Sequence, residues 1–177
     1  NDGAKRTVYT LGENLIKNGS FEYPNEFYGW TSGTREALNS SNFSIETSNA
    51  ADGDNYLKSK VDGGQGSAGS IYTSWPIEEG KTYRFGYKMK HTNAASDDIY
   101  IVTSLSKDGN EGSKLATPVY GTEWTDVNYT FTVEPGSEYK YLVFSARWLK
   151  SAKSFDGFYL CEVVSSKVEG NVDYATA

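Results

Sequence analysis

The sequence predicts an all-β protein built as an antiparallel sandwich. Helical periodicity is hard to find anywhere in the 177 residues, whereas short runs of alternating apolar and polar residues recur with turn residues between them. Composition agrees: fourteen Tyr, eight Phe and four Trp lie in a Gly-, Ser-, Thr- and Asn-rich background with one Cys and one His. Tyr and Trp carry flat apolar faces with a polar edge, so they suit both a sandwich core and a surface that stacks on another ring.

The length fits one domain that can bury a substantial core without covalent staples. A single cysteine, Cys161, excludes an intrachain disulfide framework and reads as a small buried hydrophobe. Seventeen basic residues stand against twenty-three acidic ones, a net charge of −6, with no basic run beyond pairs such as Lys5-Arg6. Nucleic-acid binding needs a concentrated positive footprint, so that class of partner is not expected. No stretch approaches the roughly 20 apolar residues that span a bilayer, so a membrane partner is not expected either.

Taken in chain order, the clearest strands are 71–77, 82–90, 98–105, 127–133, 139–147 and 154–164. Breakers separate them at Glu79-Gly80, Asn93-Ala94-Ala95-Ser96, Asp108-Gly109-Asn110 and Pro135-Gly136. Side chains two apart share a face of a strand. Tyr83, Phe85, Tyr87 and Met89 should therefore face the core, leaving Arg84, Gly86, Lys88 and Lys90 outward. Val127, Tyr129, Phe131 and Val133 go inside, as do Leu142 and Phe144. Tyr141, Val143, Ser145 and Arg147 then lie on the opposite face. Trp75 shares parity with Ile71 and Ile77 in the core, which turns Tyr72 and Ser74 outward. Residues 1–11 and 165–177 are polar without a strong period; the first reads as a linker or edge segment and the second as a linker, around a sandwich at 12–164.

Four motifs carry a family resemblance. Asn14-Leu15-Ile16-Lys17-Asn18-Gly19-Ser20-Phe21-Glu22 with Gly29-Trp30 resembles the opening of the carbohydrate-binding modules of the family 4, 9 and 22 type. Glu79-Gly80-Lys81-Thr82-Tyr83-Arg84-Phe85, Glu123-Trp124 with Phe131-Thr132-Val133, and Ser154-Phe155-Asp156-Gly157-Phe158-Tyr159-Leu160 resemble three later strand signatures of the same modules, in the same order. Together they cover about residues 14–164.

The resemblance implies a jelly-roll sandwich of two antiparallel sheets whose concave face forms a groove for a β-linked glycan. It also implies a secreted or cell-surface setting and a covalently linked glycoside hydrolase such as a xylanase. The expected ligand is polysaccharide, xylan first and β-glucan second, taken by a monomeric, non-catalytic module. Such a groove stacks aromatic faces on pyranose C–H faces while polar side chains bond the hydroxyls, and it needs no acid or nucleophile. Trp30 and Trp124 resemble structural tryptophans. Trp148, following Ser145 and Arg147 at a strand-to-loop edge, is the foremost stacking candidate, with Tyr100 and Tyr72 beside it. Arg147 has three readings: a fork onto sugar hydroxyls, a guanidinium lying over an aromatic plane, or a solvated edge charge.

Two departures stand out. The chain reads Gly66-Ser67-Ala68-Gly69-Ser70 where some relatives carry an aromatic. Ala146 and Arg147 replace an acidic residue used by family 22 relatives. The resemblance further implies a structural Ca²⁺ held by Glu22 and Asp156, with the Ala51-Asp52-Gly53-Asp54 turn as a further source of ligands. Two solvated carboxylates are the alternative reading.

His91 lacks a Ser or Cys partner motif and reads as a surface loop residue. A glycosidase would need two carboxyl groups about 5 to 9 Å apart across a cleft, whereas Glu78-Glu79 and Asp97-Asp98 read as turn pairs. Asn18, Asn39, Asn42 and Asn128 lie in glycosylation sequons, as chance allows in so Asn- and Ser-rich a chain. The competing function is a structural or adhesive spacer that binds a protein partner, distinguished by whether the outward aromatics line one face.

Overall fold

The computed structural model describes residues 5–60, 67–91, 100–118, 120–147, 149 and 152–170. They form ten strands: β1 (Lys5–Leu11), β2 (Phe43–Glu46), β3 (Tyr56–Ser59), β4 (Ile71–Pro76), β5 (Thr82–His91), β6 (Ile101–Ser106), β7 (Ser113–Ala116), β8 (Thr125–Thr132), β9 (Tyr141–Ala146) and β10 (Lys153–Gly170). One sheet of six strands runs β2-β3-β10-β5-β8, with β1 pairing β10 off that path. The other, of four strands, runs β4-β9-β6-β7. All pairings are antiparallel.

Alternation sorts the side chains as the sequence predicts. Tyr83, Phe85, Tyr87 and Met89 of β5 are buried, as are Val127 and Phe131 of β8, Leu142 and Phe144 of β9, and Trp75 of β4. Between the sheets lies an aromatic layer in which Phe158 is central. Its ring sits 4.6 Å from Trp30, 4.9 Å from Tyr87 and 5.1 Å from Phe144. Burial of each such ring stabilises the fold by roughly 2–3 kcal/mol.

β10 serves this layer twice because of a bulge. Asp156 pairs with Lys88 and Tyr159 with Gly86, so Gly157 and Phe158 together oppose Tyr87. Gly157 has φ of 61°, the left-handed region that a glycine enters without a Cβ penalty. The extra residue shifts the parity of the strand, so that both Phe155 and Phe158 point into the core.

The opening motif is a brace for β10. Asn14 Oδ1 accepts from the amides of Ile16 and Leu160, and its Nδ2 donates to the Phe158 carbonyl. Asn18 is buried; its Nδ2 donates to the carbonyls of Glu26 and Tyr28, and its Oδ1 accepts from the Tyr23 amide. That sequon asparagine is therefore spent on the fold. Trp30, almost wholly buried, donates its indole N–H to the Asn18 carbonyl, and Cys161 is buried.

At both ends the structure adds regular pairing, where 1–11 reads as a linker or edge segment and 165–177 as a linker. Residues 5–11, read as linker or edge, form β1, which pairs with the end of β10 from Val163 to Gly170. Their side chains are largely exposed, so backbone hydrogen bonding and not an apolar face holds the ribbon, which is why no periodicity announced it. His91 is the last residue of β5 and not a loop residue. Its ring meets Tyr120 edge-on at 4.9 Å. The expected strand 98–105 is seen from Ile101, and 98–99 lie outside the described residues.

Candidate functional site

On the four-stranded sheet the register aligns Tyr72 of β4, Ser145 of β9 and Val102 of β6 in one row across the outward face. Arg147 follows β9, and its amide donates to the Tyr100 carbonyl, which places Tyr100 beside this row. Tyr72, Ser145 and Arg147 meet at a residue the sequence reading passed over, Glu111. Ser145 Oγ donates to Glu111 Oε2 at 2.6 Å, and Arg147 Nη2 donates to Oε1 at 2.8 Å. The Glu111 amide donates to the Tyr72 hydroxyl. On the other side of Tyr72, the Arg35 guanidinium lies 4.0 Å from the ring centroid, and Arg35 also donates to Asn110 Oδ1. Trp148, the foremost sequence candidate, lies outside the described residues.

Glu111 comes from the loop joining β6 to β7, and this loop lies against the sheet face. The Asp108 and Gly109 amides donate to Ser106 Oγ, and the Gly112 amide donates to Ser104 Oγ. A Cβ on Gly112 would fall 2.2 Å from the Leu105 carbonyl oxygen, a contact only glycine permits. Gly109 reaches β4, where a Cβ would lie 3.6 Å from Ser74 Oγ. Val143, Ser104 and Ser145 consequently have no solvent exposure, although alternation turns them away from the core.

The site thus presents the Glu111 carboxylate, the Arg35 and Arg147 guanidinium groups and the Tyr72 ring and hydroxyl, with Ser145 buried behind Glu111 as its brace. It can exchange hydrogen bonds with a polyhydroxylated ligand and hold it in a fixed orientation, since each partner is already braced. Among the described residues Arg147 Nε has no partner. Glycoside hydrolysis would call for a second carboxyl group opposite Glu111.

Glu22 and Asp156 are brought together by the turn at 51–55. Glu22 Oε2 accepts from the amides of Asp54 and Asn55, at 2.9 and 2.6 Å. Asp156 Oδ2 accepts from the Asp52 amide and Oδ1 from the Gly157 amide, both at 2.8 Å. Ser20 Oγ donates to Asp52 Oδ2. Asp156 has no exposed surface, and burial pushes its carboxyl up to about 7 against the pull of those amide donors. Both carboxylates are thus occupied by backbone amide donors of the turn and of Gly157. No group of three or more Asp, Glu, His or Cys side chains converges as a ligand set among the described residues.

Other features share no residue with these clusters. Trp124, expected to be structural, packs edge-on against Tyr56 at 5.2 Å and donates to the Asn49 carbonyl, with Lys90 4.8 Å from its ring. A cavity of about 300 Å³ lies near the root of β1, bordered by Glu13, Glu78, Lys81, Tyr83 and Glu162. No helix of the described residues is long and apolar enough to cross a membrane.

Comparison with known proteins follows the same lines. Residues 13–152 match the carbohydrate-binding domain family of types 4 and 9. The fold is similar to the CBM22-1 xylan-binding domain of Paenibacillus barcinonensis Xyn10C, with 14% identity and a TM-score of 0.55 over 89% of this chain and 99% of that one. It is also similar to the CBM22-1–GH10 modules of Clostridium thermocellum xylanase 10B, solved with xylohexaose. That match has 15% identity and a TM-score of 0.55 over 85% of this chain and 29% of that one. A third, TmCBM61 in complex with β-1,4-galactotriose, has 19% identity and a TM-score of 0.51 over 84% and 98% of the two chains. No curated protein matches the chain in sequence.

Proposed function

We infer that this protein, which belongs to the carbohydrate-binding domain family, is a non-catalytic module that holds a β-linked plant polysaccharide at the Tyr72–Arg147 end of its four-stranded sheet. Xylan is the first ligand and β-1,4-glucan the second. The observation that carries this reading is the convergence of Tyr72 and Arg147 on Glu111, held from behind by the buried Ser145, a ring and a set of donors and acceptors of the kind that grips sugar hydroxyls. Trp148, next in the chain to Arg147, is the sequence candidate for a stacking ring, and Tyr100 lies beside the row through the hydrogen bond from the Arg147 amide to its carbonyl.

The module works by proximity. Attached to a glycoside hydrolase outside the cell, it raises the effective concentration of substrate without altering the chemical step. The neighbouring structures supply the precedent: one carries a GH10 module in the same chain and was solved with xylohexaose. A Ca²⁺ ion at Glu22, Asp156 and the 51–55 turn fixes the far side of the six-stranded sheet and takes no part in sugar contact.

Isothermal titration of the monomeric protein with xylohexaose and cellohexaose, with Ca²⁺ present, tests the reading. Binding to one of them that falls at least tenfold, about 1.4 kcal/mol, in Arg147→Ala and in Tyr72→Ala is the expected result. Absence of heat with both sugars would leave the covered face of Val143 and Ser145 as the mark of a spacer.

A further inference from the structure

The middle of the outward face of the four-stranded sheet is closed. Val143 and Ser145 of β9 and Ser104 of β6 are fully shielded there. The 107–112 loop reaches from β6 over β9 to β4, a distance of roughly 10 Å across three strands. It is no loosely draped segment. Ser104, Ser106, Ser145 and Arg147 all bond it, Arg35 holds Asn110 from outside, and the Asn110 amide and side chain are both tied to Asp108. A glycan chain running across this sheet would have to lie where the loop lies.

Among the described residues, one end of the face remains reachable, where Arg35, Tyr72, Glu111 and Arg147 come together. The Glu111 and Arg147 side chains keep 25% and 38% of their surface in solvent. A carboxylate has about four lone-pair sites on its two oxygens, and the contacts from Ser145 and Arg147 use one on each oxygen. Among the described residues this leaves one acceptor position on each oxygen, which matches a vicinal pair of hydroxyls on a single ring.

Building on the carbohydrate-binding reading, we propose that this site takes the end of a glycan chain, gripped by Glu111 and Arg147 and stopped by the 107–112 loop, and not an internal run of sugars. A terminal ring has one open side, which can abut the loop, whereas an internal ring has chain leaving in both directions. Glu111 is then the residue that sets specificity, and its loop sets the length of chain that is felt.

The test is titration calorimetry of the whole protein with xylo-oligosaccharides and cello-oligosaccharides of two to six residues. End recognition predicts that affinity for the preferred series levels off by the trisaccharide and changes less than about threefold up to the hexasaccharide. An open groove would instead add on the order of tenfold for each further ring that stacks. Continued growth with length overturns the chain-end proposal while leaving carbohydrate binding intact; no heat in either series overturns both. Glu111→Gln should weaken the plateau affinity at least tenfold without changing where it levels off. Retention of full affinity in Glu111→Gln would remove Glu111 from the site.

Discussion

On β5 and β8 the outward Arg84, Asn128 and Thr130 face solvent and bond one another, Arg84 reaching Thr130 at 2.7 Å and Asn128 at 2.8 Å. On β9 the outward Val143 and Ser145 are as buried as the inward Leu142 and Phe144. Both faces obey the same alternation. They differ because a glycine-bounded loop lies over β9, whereas among the described residues no loop covers Asn128 and Thr130 of β8. Strand periodicity decides which way a side chain points; only the tertiary course of the loops decides whether it meets water. A buried polar row such as Ser104 and Ser145 is affordable because the loop satisfies each hydroxyl.

The largest effect is expected where the two sheets share a layer. Phe158→Ala should destabilise the protein by about 3–5 kcal/mol in urea unfolding, since its ring meets Trp30, Tyr87 and Phe144 at once. Next comes the covered turn on the six-stranded sheet. Asp156 has a folded-state pKa raised to about 7, so the folded state favours its protonated form. Its contribution is fully present below the ordinary carboxylate value of about 4 and is lost as pH rises through about 7. In chelator the melting temperature should therefore fall between pH 4 and 7. Ca²⁺ at a hundred times its Kd should restore about 2.7 kcal/mol at pH 7, and Asp156→Asn should abolish both responses in differential scanning calorimetry.

A smaller effect separates the two outer faces directly. Gly112→Ala forces the loop off the Leu105 carbonyl and should cost about 1–3 kcal/mol. Tryptic cleavage after Lys107 should accelerate in that variant, while the β5–β8 face is unchanged. The smallest belongs to the open face: Asp126→Ala removes the partner of Lys88 in an exposed ion pair and should change stability by less than about 1 kcal/mol.

The long strands were legible because each buries one face and exposes the other, as β5 and β8 do. β2 and β3 were not, because Phe43–Glu46 and Tyr56–Ser59 are four residues each and half polar, too short to establish a period. β7 failed for the same reason. At the candidate site, Tyr72, Ser145 and Arg147 could be placed on one face by parity alone. Glu111 and Arg35 could not, since both sit in loops whose reach depends on the packing of Gly112 and on the left-handed φ of 70° at Arg35. The Asp108-Gly109-Asn110 breaker marked a turn, but nothing in its sequence told that the chain doubles back over β9. Glu22 and Asp156 came from motif resemblance, and the turn at 51–55 does bridge them.

The face of the sandwich that meets sugar is the decisive point. Backbone amide chemical shifts recorded while xylohexaose, or cellohexaose if it binds more tightly, is added would decide it. The amides of Tyr72, Glu111, Ser145 and Arg147 should move together and saturate with one affinity, while those of Arg84, Asn128 and Thr130 stay still. Shifts centred on β5 and β8 would place the ligand on the opposite sheet and contradict the account.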